Sequence, residues 1–529
     1  MADNQADMII IGAGFAGLYM LHTARKLGLS ARILEAGDGV GGTWYWNRYP
    51  GARCDVPSLE YSFQFDDDLQ QEWQWSERYA PQAEILSYLN HVTDRFDLRG
   101  HIQFNTRVAT ASYDENSNRW TIESDEGQSH QAKFCVFATG CLSVSNKPNI
   151  QNEDLFKGPI YHTGQWSQQG VDFSDLNVAV VGTGSSAIQA IPVIAEQAAS
   201  LSVFQRSAGY TVPAHNRPMD EAEQNAIKSN YARLRESASQ QFSGNELFSN
   251  TRLASEMSAE EIRQECERRW EMGGLYWYGA FPDLLLDQKT NDMVADFFRE
   301  KIQEIISDPE LAKTLMPDTV FGCKRMSVDT DYYQTFNLPH VSLIDISESP
   351  IDAYTEKGLV IKDKEYEFDA IVLATGFDAM TGALDRIEIR GRQAQTLKEK
   401  WADGPLTYLG LQSAGFPNMF IITGPGSPSV LTNMIPSIEQ HVEFVKDAID
   451  YMHRNKFSVI EADVTAEDAW VAHVNEVAES TLLHSCNSWY LGANVPGKPR
   501  VFMPYLGFPP YVEKCEQVVK NEYEGFILK

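Results

Sequence analysis

The stretch DMIIIGAGFAGLYML (Asp7–Leu21) decides how the chain is read. An apolar, β-rich run stops at Gly12, glycines recur at turn spacing, and helical periodicity follows. ARILEAG (residues 31–37) then returns as a second strand, closing a strand–turn–helix–strand unit. Gly12, Gly14 and Gly17 form G-x-G-x-x-G. Gly12 permits the tight turn, Gly14 lets a pyrophosphate approach the backbone at the helix N-terminus, and Gly17 lets helix and strand pack closely. Glu35 ends the second strand, about 20 residues on. A carboxylate there accepts hydrogen bonds from ribose hydroxyls and repels a 2′-phosphate. The site suits FAD or NAD, not NADP.

The same plan recurs in NVAVVGTGSSAIQAIPVIAEQAASLSVFQR (residues 177–206), with Gly182, Gly184 and Ala187 as a G-x-G-x-x-A variant. Here the second strand ends in Arg206 and no acid takes the place of Glu35. A guanidinium at that point can clamp a 2′-phosphate through paired hydrogen bonds, which favours NADPH over NADH. FCVFATG (Phe134–Gly140), DAIVLATG (Asp369–Gly376) and NMFIITGPGS (Asn418–Ser427) read as further short strands of parallel sheets arriving at a nucleotide crevice.

The fold class expected is α/β, with two Rossmann-like dinucleotide-binding domains and a helical insertion. Residues 1–145 and 381–529 supply the FAD-binding domain. Residues 146–215 and 330–380 supply the NADP-binding domain, and 216–329 the insertion. At 529 residues the chain exceeds one hydrophobic core. Apolar residues make up 43% and charged residues 22%, an ordinary globular balance. The aromatic run LYWYGAF (Leu275–Phe281) is expected to be packing core of the insertion, with a pocket wall as the alternative.

A net charge of −29 repels nucleic acid and anionic membrane surfaces. The apolar N-terminal run follows Asp3 and Asp7 where a signal peptide needs a basic region, and no apolar run reaches the roughly 18 residues of a membrane span. The seven cysteines, Cys54, Cys135, Cys141, Cys266, Cys323, Cys486 and Cys515, form no C-x-x-C, metal-ligand pattern or disulfide framework. A reducing cytoplasm is the expected location, with a monomer or weak dimer as the expected state. Two dinucleotide sites imply hydride passage from NADPH to flavin. A disulfide reductase shares that plan, but it needs a redox cysteine pair in the first domain. Oxygen is the remaining acceptor.

Three segments then carry a resemblance. FKGPIYHTGQW places Phe156, Gly158, His162 and Trp166 in F-x-G-x-x-x-H-x-x-x-W, followed by Ser167 where Pro or Asp is usual. GGTWYWNRYPGARCD runs from Gly41 to Asp55, and CKRMSVDTDYY from Cys323 to Tyr333. In these the chain resembles the Baeyer–Villiger monooxygenases, the cyclohexanone, phenylacetone and steroid monooxygenase family, over almost its full length.

The resemblance implies Arg325 as the active-site arginine, oriented by Asp55. It implies FAD contacts at Gly42, Thr43, Trp44, Asp55, Val56, Tyr61 and Val108. NADP contacts are implied at Arg53, Thr183, Ser185, Ser186, Gln189, Gln205, Lys324 and Arg325. WYLGANVPGK resembles a mobile loop, near 485–505, that brings Trp489 to NADP. GPGSPSVLTNM resembles the phenylacetone and steroid branch and suggests Leu142, Leu431 and Met434 as ketone-pocket walls. The reaction implied is reduction of FAD by NADPH and addition of O2 to give a C4a-peroxide. Its attack on a ketone gives a tetrahedral adduct that rearranges to an ester or lactone. Arg325 would keep the peroxide anionic and stabilise the adduct's oxyanion. His162, outside both glycine loops, is expected to hold domain orientation rather than act as a base, with Gly158 relieving a turn. An N- or S-oxygenating flavin monooxygenase and a non-catalytic NADPH or flavin redox sensor are the alternatives at this point.

Overall fold

The structure, a computed structural model, describes residues 5–529; Asp3 lies outside them. The strand Gln5–Ile11 runs at the centre of an eight-stranded sheet, parallel to Ala31–Leu34 on one side and to Ser129–Phe137 on the other. Alternation sends its side chains to two cores. Met8 and Ile10 pack with the helix Phe15–Lys26, whereas Ile9 and Ile11 pack with Trp120 and Phe137. Both faces of the strand are covered, which is why it reads as a continuous apolar run. Phe15 to Ala24 are all buried, because the helix is enclosed between this sheet and the long helix Met434–Asn455. The strands Met419–Ile421 and Glu388–Arg390, from late in the chain, complete the same sheet.

The second sheet is wholly parallel. Its order is Val341–Asp345, Ser200–Gln205, Asn177–Val181, Ala370–Leu373 and Ile160–His162. The two nucleotide turns are built alike. Gly12 N–H donates to Leu34 O and Gly182 N–H to Phe204 O, each bonding to the neighbouring strand. Gly12 has φ +105° and Gly182 +116°. A Cβ on Gly12 would sit 2.6 Å from the Ala138 carbonyl oxygen, and one on Gly182 would overlap that of Ala374. The recurring Ala-Thr-Gly at 138–140 and 374–376 is therefore the wall against which each glycine turn lies. A Cβ on Gly17 would overlap the Gly12 carbonyl, the close packing its position in the fingerprint requires.

Between the sheets' segments, residues 216–329 carry the helices Glu221–Lys228, Tyr231–Ser239, Ala259–Met272, Gln288–Ile305 and Pro309–Leu315. At their base, Thr211–Pro213 pairs with Ser327–Asp329. Fully buried Arg269 organises this region. Its guanidinium donates to the carbonyls of Leu247, Phe248, Tyr276 and Gly279 and pairs with Glu265, the full set of partners a buried cation needs. Trp277 packs in the core with Phe298 and Phe321. Tyr278 departs from that core role, since its hydroxyl accepts the N–H of Met326, next to Arg325.

One expectation is overturned. Cys323 and Cys486, 163 residues apart, form a disulfide, and the other five cysteines are free and buried. Tertiary folding creates this pair, so sequence spacing carried no trace of it. Among the described residues, no helix is long and apolar enough to cross a membrane.

Candidate active site

Both glycine turns open onto one cavity of about 1780 Å³, well beyond the roughly 300–1,000 Å³ of a single small-ligand site. On its first side stand Gly12, Gly14 and Glu35, then Gly42, Thr43 and Trp44, then Val56, Tyr61 and Val108. The helix beginning at Phe15 has no side-chain cap, which leaves first-turn N–H groups for an anion. Glu35 is buried and accepts the N–H groups of Ala13 (2.7 Å) and Gly37 (2.8 Å). Burial lifts its carboxyl pKa, against the pull of those two bonds. These features fit the diphosphate and ribose of FAD.

Across the cavity stand Gly182 to Ser186, Gln189 and Arg53, with Arg206, Lys324 and Trp489 beyond them. The helix starting at Ser185 also lacks a side-chain cap. Among the described residues, neither Arg206 nor Lys324 forms an ion pair within 4 Å. Burial first, and then the charge of Arg206, push the Lys324 pKa down. Two neighbouring cations with no carboxylate within 4 Å fit a phosphate. Gln189 bonds across the cavity floor, accepting from Tyr49 and donating to the Arg53 carbonyl.

Arg325 stands at the junction. Its Nε donates to Asp55 Oδ2 at 2.8 Å and its Nη1 to the Val430 carbonyl at 2.8 Å, while Nη2 donates to neither. The side chain is 20% exposed and lines the cavity. Burial alone would lower its pKa, but the charge and hydrogen bond of Asp55 outweigh that, and the net shift is upward. Arg325 is a cation at every working pH, aimed by a carboxylate 270 residues away in sequence.

Some expected residues stand elsewhere. Gln205 faces away from the cavity and gives its amide to the Thr314 carbonyl at 2.7 Å. It is the last residue of the strand Ser200–Gln205, and Arg206, read as that strand's end, instead follows it in a bend at the cavity. Leu431 packs beside the cavity without bordering it, whereas Leu142 and Met434 border it. Gly158 serves a close approach rather than a turn, because a Cβ there would overlap the Asp369 carbonyl. His162 ends an edge strand of the second sheet rather than a free linker. Its Nδ1 accepts the Gly164 N–H at 3.0 Å, and its Nε2 lies 3.4 Å from Asn146 O and 3.3 Å from Thr375 Oγ1. Burial lowers its pKa. Phe156 and Trp166 are buried in the two cores flanking that sheet, and Trp166 also reaches the cavity.

Four cavity residues escaped the sequence reading. Asn47 Oδ1, Ser145 Oγ, Ser488 Oγ and Asn494 Oδ1 are buried at the cavity without a protein partner. Buried polar atoms are rarely left so, and a ligand supplies what they lack. Their positions were the available signal: Asn47 follows GGTW, Ser145 follows the Ala-Thr-Gly at 138–140, and Ser488 and Asn494 flank and end WYLGAN.

A family model for pyridine nucleotide-disulphide oxidoreductases matches residues 9–240. A steroid monooxygenase structure bound to NADP aligns with a TM-score of 0.95 at 49% identity, covering 99% of each chain. The chain is 39% identical to a Baeyer–Villiger monooxygenase of Pseudooceanicola batsensis, over 98% of this chain and 96% of the relative. It is 40% identical to a phenazine N-monooxygenase of Lysobacter antibioticus, over 100% and 98%. The doubled glycine turns, the Asp55–Arg325 pair and this full-length similarity agree: the chain belongs to the Baeyer–Villiger monooxygenase family of flavoproteins.

Proposed function

We propose that the protein inserts one oxygen atom next to the carbonyl of a ketone, using NADPH and O2, and that Arg325 is the group on which this insertion depends. FAD, reduced by NADPH, supplies the activated oxygen. The chain's own residues bind, aim and exclude water. Gly12, Gly14 and Glu35 hold one dinucleotide; Gly182 to Ser186, Arg206 and Lys324 hold the other. When a nucleophile adds to a ketone, the carbonyl oxygen becomes an oxyanion. A fixed cation beside it lowers that barrier because it needs no reorganisation as charge develops. Asp55 and Val430 fix Arg325 through Nε and Nη1, which holds its charge at the cavity where that oxyanion would form. This geometry is the observation that carries the reading.

Leu142 and Met434 are assigned to the ketone wall, and Leu431 to support behind them. His162 joins its strand to Asn146, whose amide in turn donates to Asn494 of the 485–505 loop at 2.9 Å. That chain of contacts supports a role in setting the loop's position rather than in proton transfer. A cytoplasmic location accords with the demand for NADPH, and a monomer or weak dimer with the strong net negative charge.

The test is a panel of cyclic, aryl-alkyl, linear and steroid ketones with NADPH, plus a phenazine, with products analysed by mass. Esters or lactones one oxygen heavier than their ketones support the reading. An N-oxide from the phenazine, with no ester from any ketone, would replace it with N-oxygenation.

A further inference from the structure

The Cys323–Cys486 disulfide joins two functional segments. Cys323 is buried and directly precedes Lys324 and Arg325. Cys486 opens the segment that brings Ser488, Trp489 and Asn494 to the cavity. The far end of that segment is packed through buried Phe502 and Met503, and its middle is held by polar contacts. Asn494 donates to Phe377 O at 2.7 Å, and Lys498 bonds Asp378 at 2.5 Å and Ala379 O at 2.7 Å. Those partners lie just past the second sheet, so they tie the segment to the NADP side. The disulfide ties it covalently to the segment that carries Arg325.

We propose that Cys323–Cys486 is a redox-modification site, a reversible latch that holds the 485–505 segment over the NADP site and against the Arg325 segment. Cys486 is partly exposed and lies between exposed Ser485 and Asn487, whereas the five free cysteines are buried. A soluble thiol reagent therefore meets this sulfur first. Opening is thiol–disulfide exchange. A thiolate of a dithiol reductant attacks Sγ of Cys486, the S–S bond breaks, and Cys323 leaves as thiolate and takes a proton. The reductant's second thiol then releases Cys486 and closes the reductant's own disulfide. Closing runs through a peroxide: the two thiols give up two electrons and two protons, the O–O bond breaks, and hydrogen peroxide leaves as two waters. In reducing compartments disulfides are characteristically transient and redox-sensing, which reconciles this bond with a cytoplasmic enzyme. The closed latch presets the segment's bound conformation, so less ordering is required when NADP binds.

The holoenzyme, purified without reductant and denatured, is titrated for thiols. Five are expected, rising to seven after dithiothreitol. Reduction of the native holoenzyme raises the KM for NADPH roughly tenfold and exposes residues 487–505 to limited proteolysis. Hydrogen peroxide reverses both. Cys486→Ser behaves as the reduced protein and ignores dithiothreitol, and reduction of the unsubstituted protein tests the same point without a substitution. Seven thiols before reduction would overturn the proposal, as would identical KM and digestion patterns in the two states. The thiol count and digestion require no turnover, so they fail or succeed separately from the assignment of ketone oxygenation.

Discussion

Replacing Arg325 with alanine separates the first half of the reaction from the second. The guanidinium is fixed by Asp55 and Val430 at 2.8 Å each. Its loss removes a preorganised donor, worth about 3 kcal/mol in the transition state. It also leaves the Asp55 carboxylate, 26% exposed, unpaired beside the site where an oxyanion must form. Two like charges about 6 Å apart at an effective dielectric constant near 20 repel by about 3 kcal/mol. The sum, about 6 kcal/mol, corresponds to a loss of roughly ten-thousandfold in ester formation. Anaerobic stopped-flow bleaching of the flavin by NADPH should slow far less, because the glycine turns and Arg206 stay in place. The second term also predicts a rescue. Arg325→Ala combined with Asp55→Ala should make ester faster than Arg325→Ala alone, by up to about a hundredfold, since the stranded charge is gone. Ester formation by Arg325→Ala within tenfold of the parent would refute the catalytic assignment. A double variant no better than the single one would refute the electrostatic part of the reasoning.

Arg206→Ala should raise the KM for NADPH by roughly 10- to 100-fold, the value of charge-assisted hydrogen bonds, while barely changing that for NADH; equal rises would remove Arg206 from the 2′-phosphate site. Gly12→Ala places a Cβ 2.6 Å from the Ala138 carbonyl at φ +105° and should yield protein lacking bound flavin, read from its visible spectrum. Gly184→Ala meets nothing within 4 Å, so its melting temperature should match the parent's even as NADPH binding weakens. Glu439 accepts the N–H groups of Gln64 and Phe65, and burial lifts its pKa from 4.5 to about 7. The unfolded chain sheds this proton above about pH 4.5 and the folded chain keeps it to about pH 7, so this group's contribution to stability falls as pH rises through that window. Glu439→Gln should therefore gain on the parent by on the order of 3 kcal/mol between pH 4.5 and 8. Parallel melting curves across that range would rule the effect out.

What the sequence made legible follows from how local each signal is. Gly12, Gly14, Gly17 and Glu35 lie within one strand–helix–strand unit, and their roles are set by neighbours a few residues away, so spacing alone located that turn. The repeated Ala-Thr-Gly was visible as a repeat but not as a wall, because its partner glycines lie more than a hundred residues off. Gln205 and Arg206 were read together although the strand ends between them and the Gln205 amide is taken by the Thr314 carbonyl; only Arg206 reaches the cavity. Gly158 looked like a turn residue, but it is the Asp369 carbonyl, from the neighbouring strand's approach, that excludes a side chain. The disulfide was illegible for the same reason in stronger form. Cys323 and Cys486 belong to segments with unrelated local signals, and only the folding of the 485–505 segment back over the cavity brings their Cα atoms within 6.0 Å. The residues hardest to read are thus those at which the two nucleotide halves and this segment meet. Arg325 stands at that meeting point too, with its carboxylate partner 270 residues away. Sequence periodicity can build each half; how closely Arg325, the 485–505 segment and the cavity wall are held together is decided by long-range contacts, and substitutions at those contacts should alter coupling between the halves before they alter either half alone.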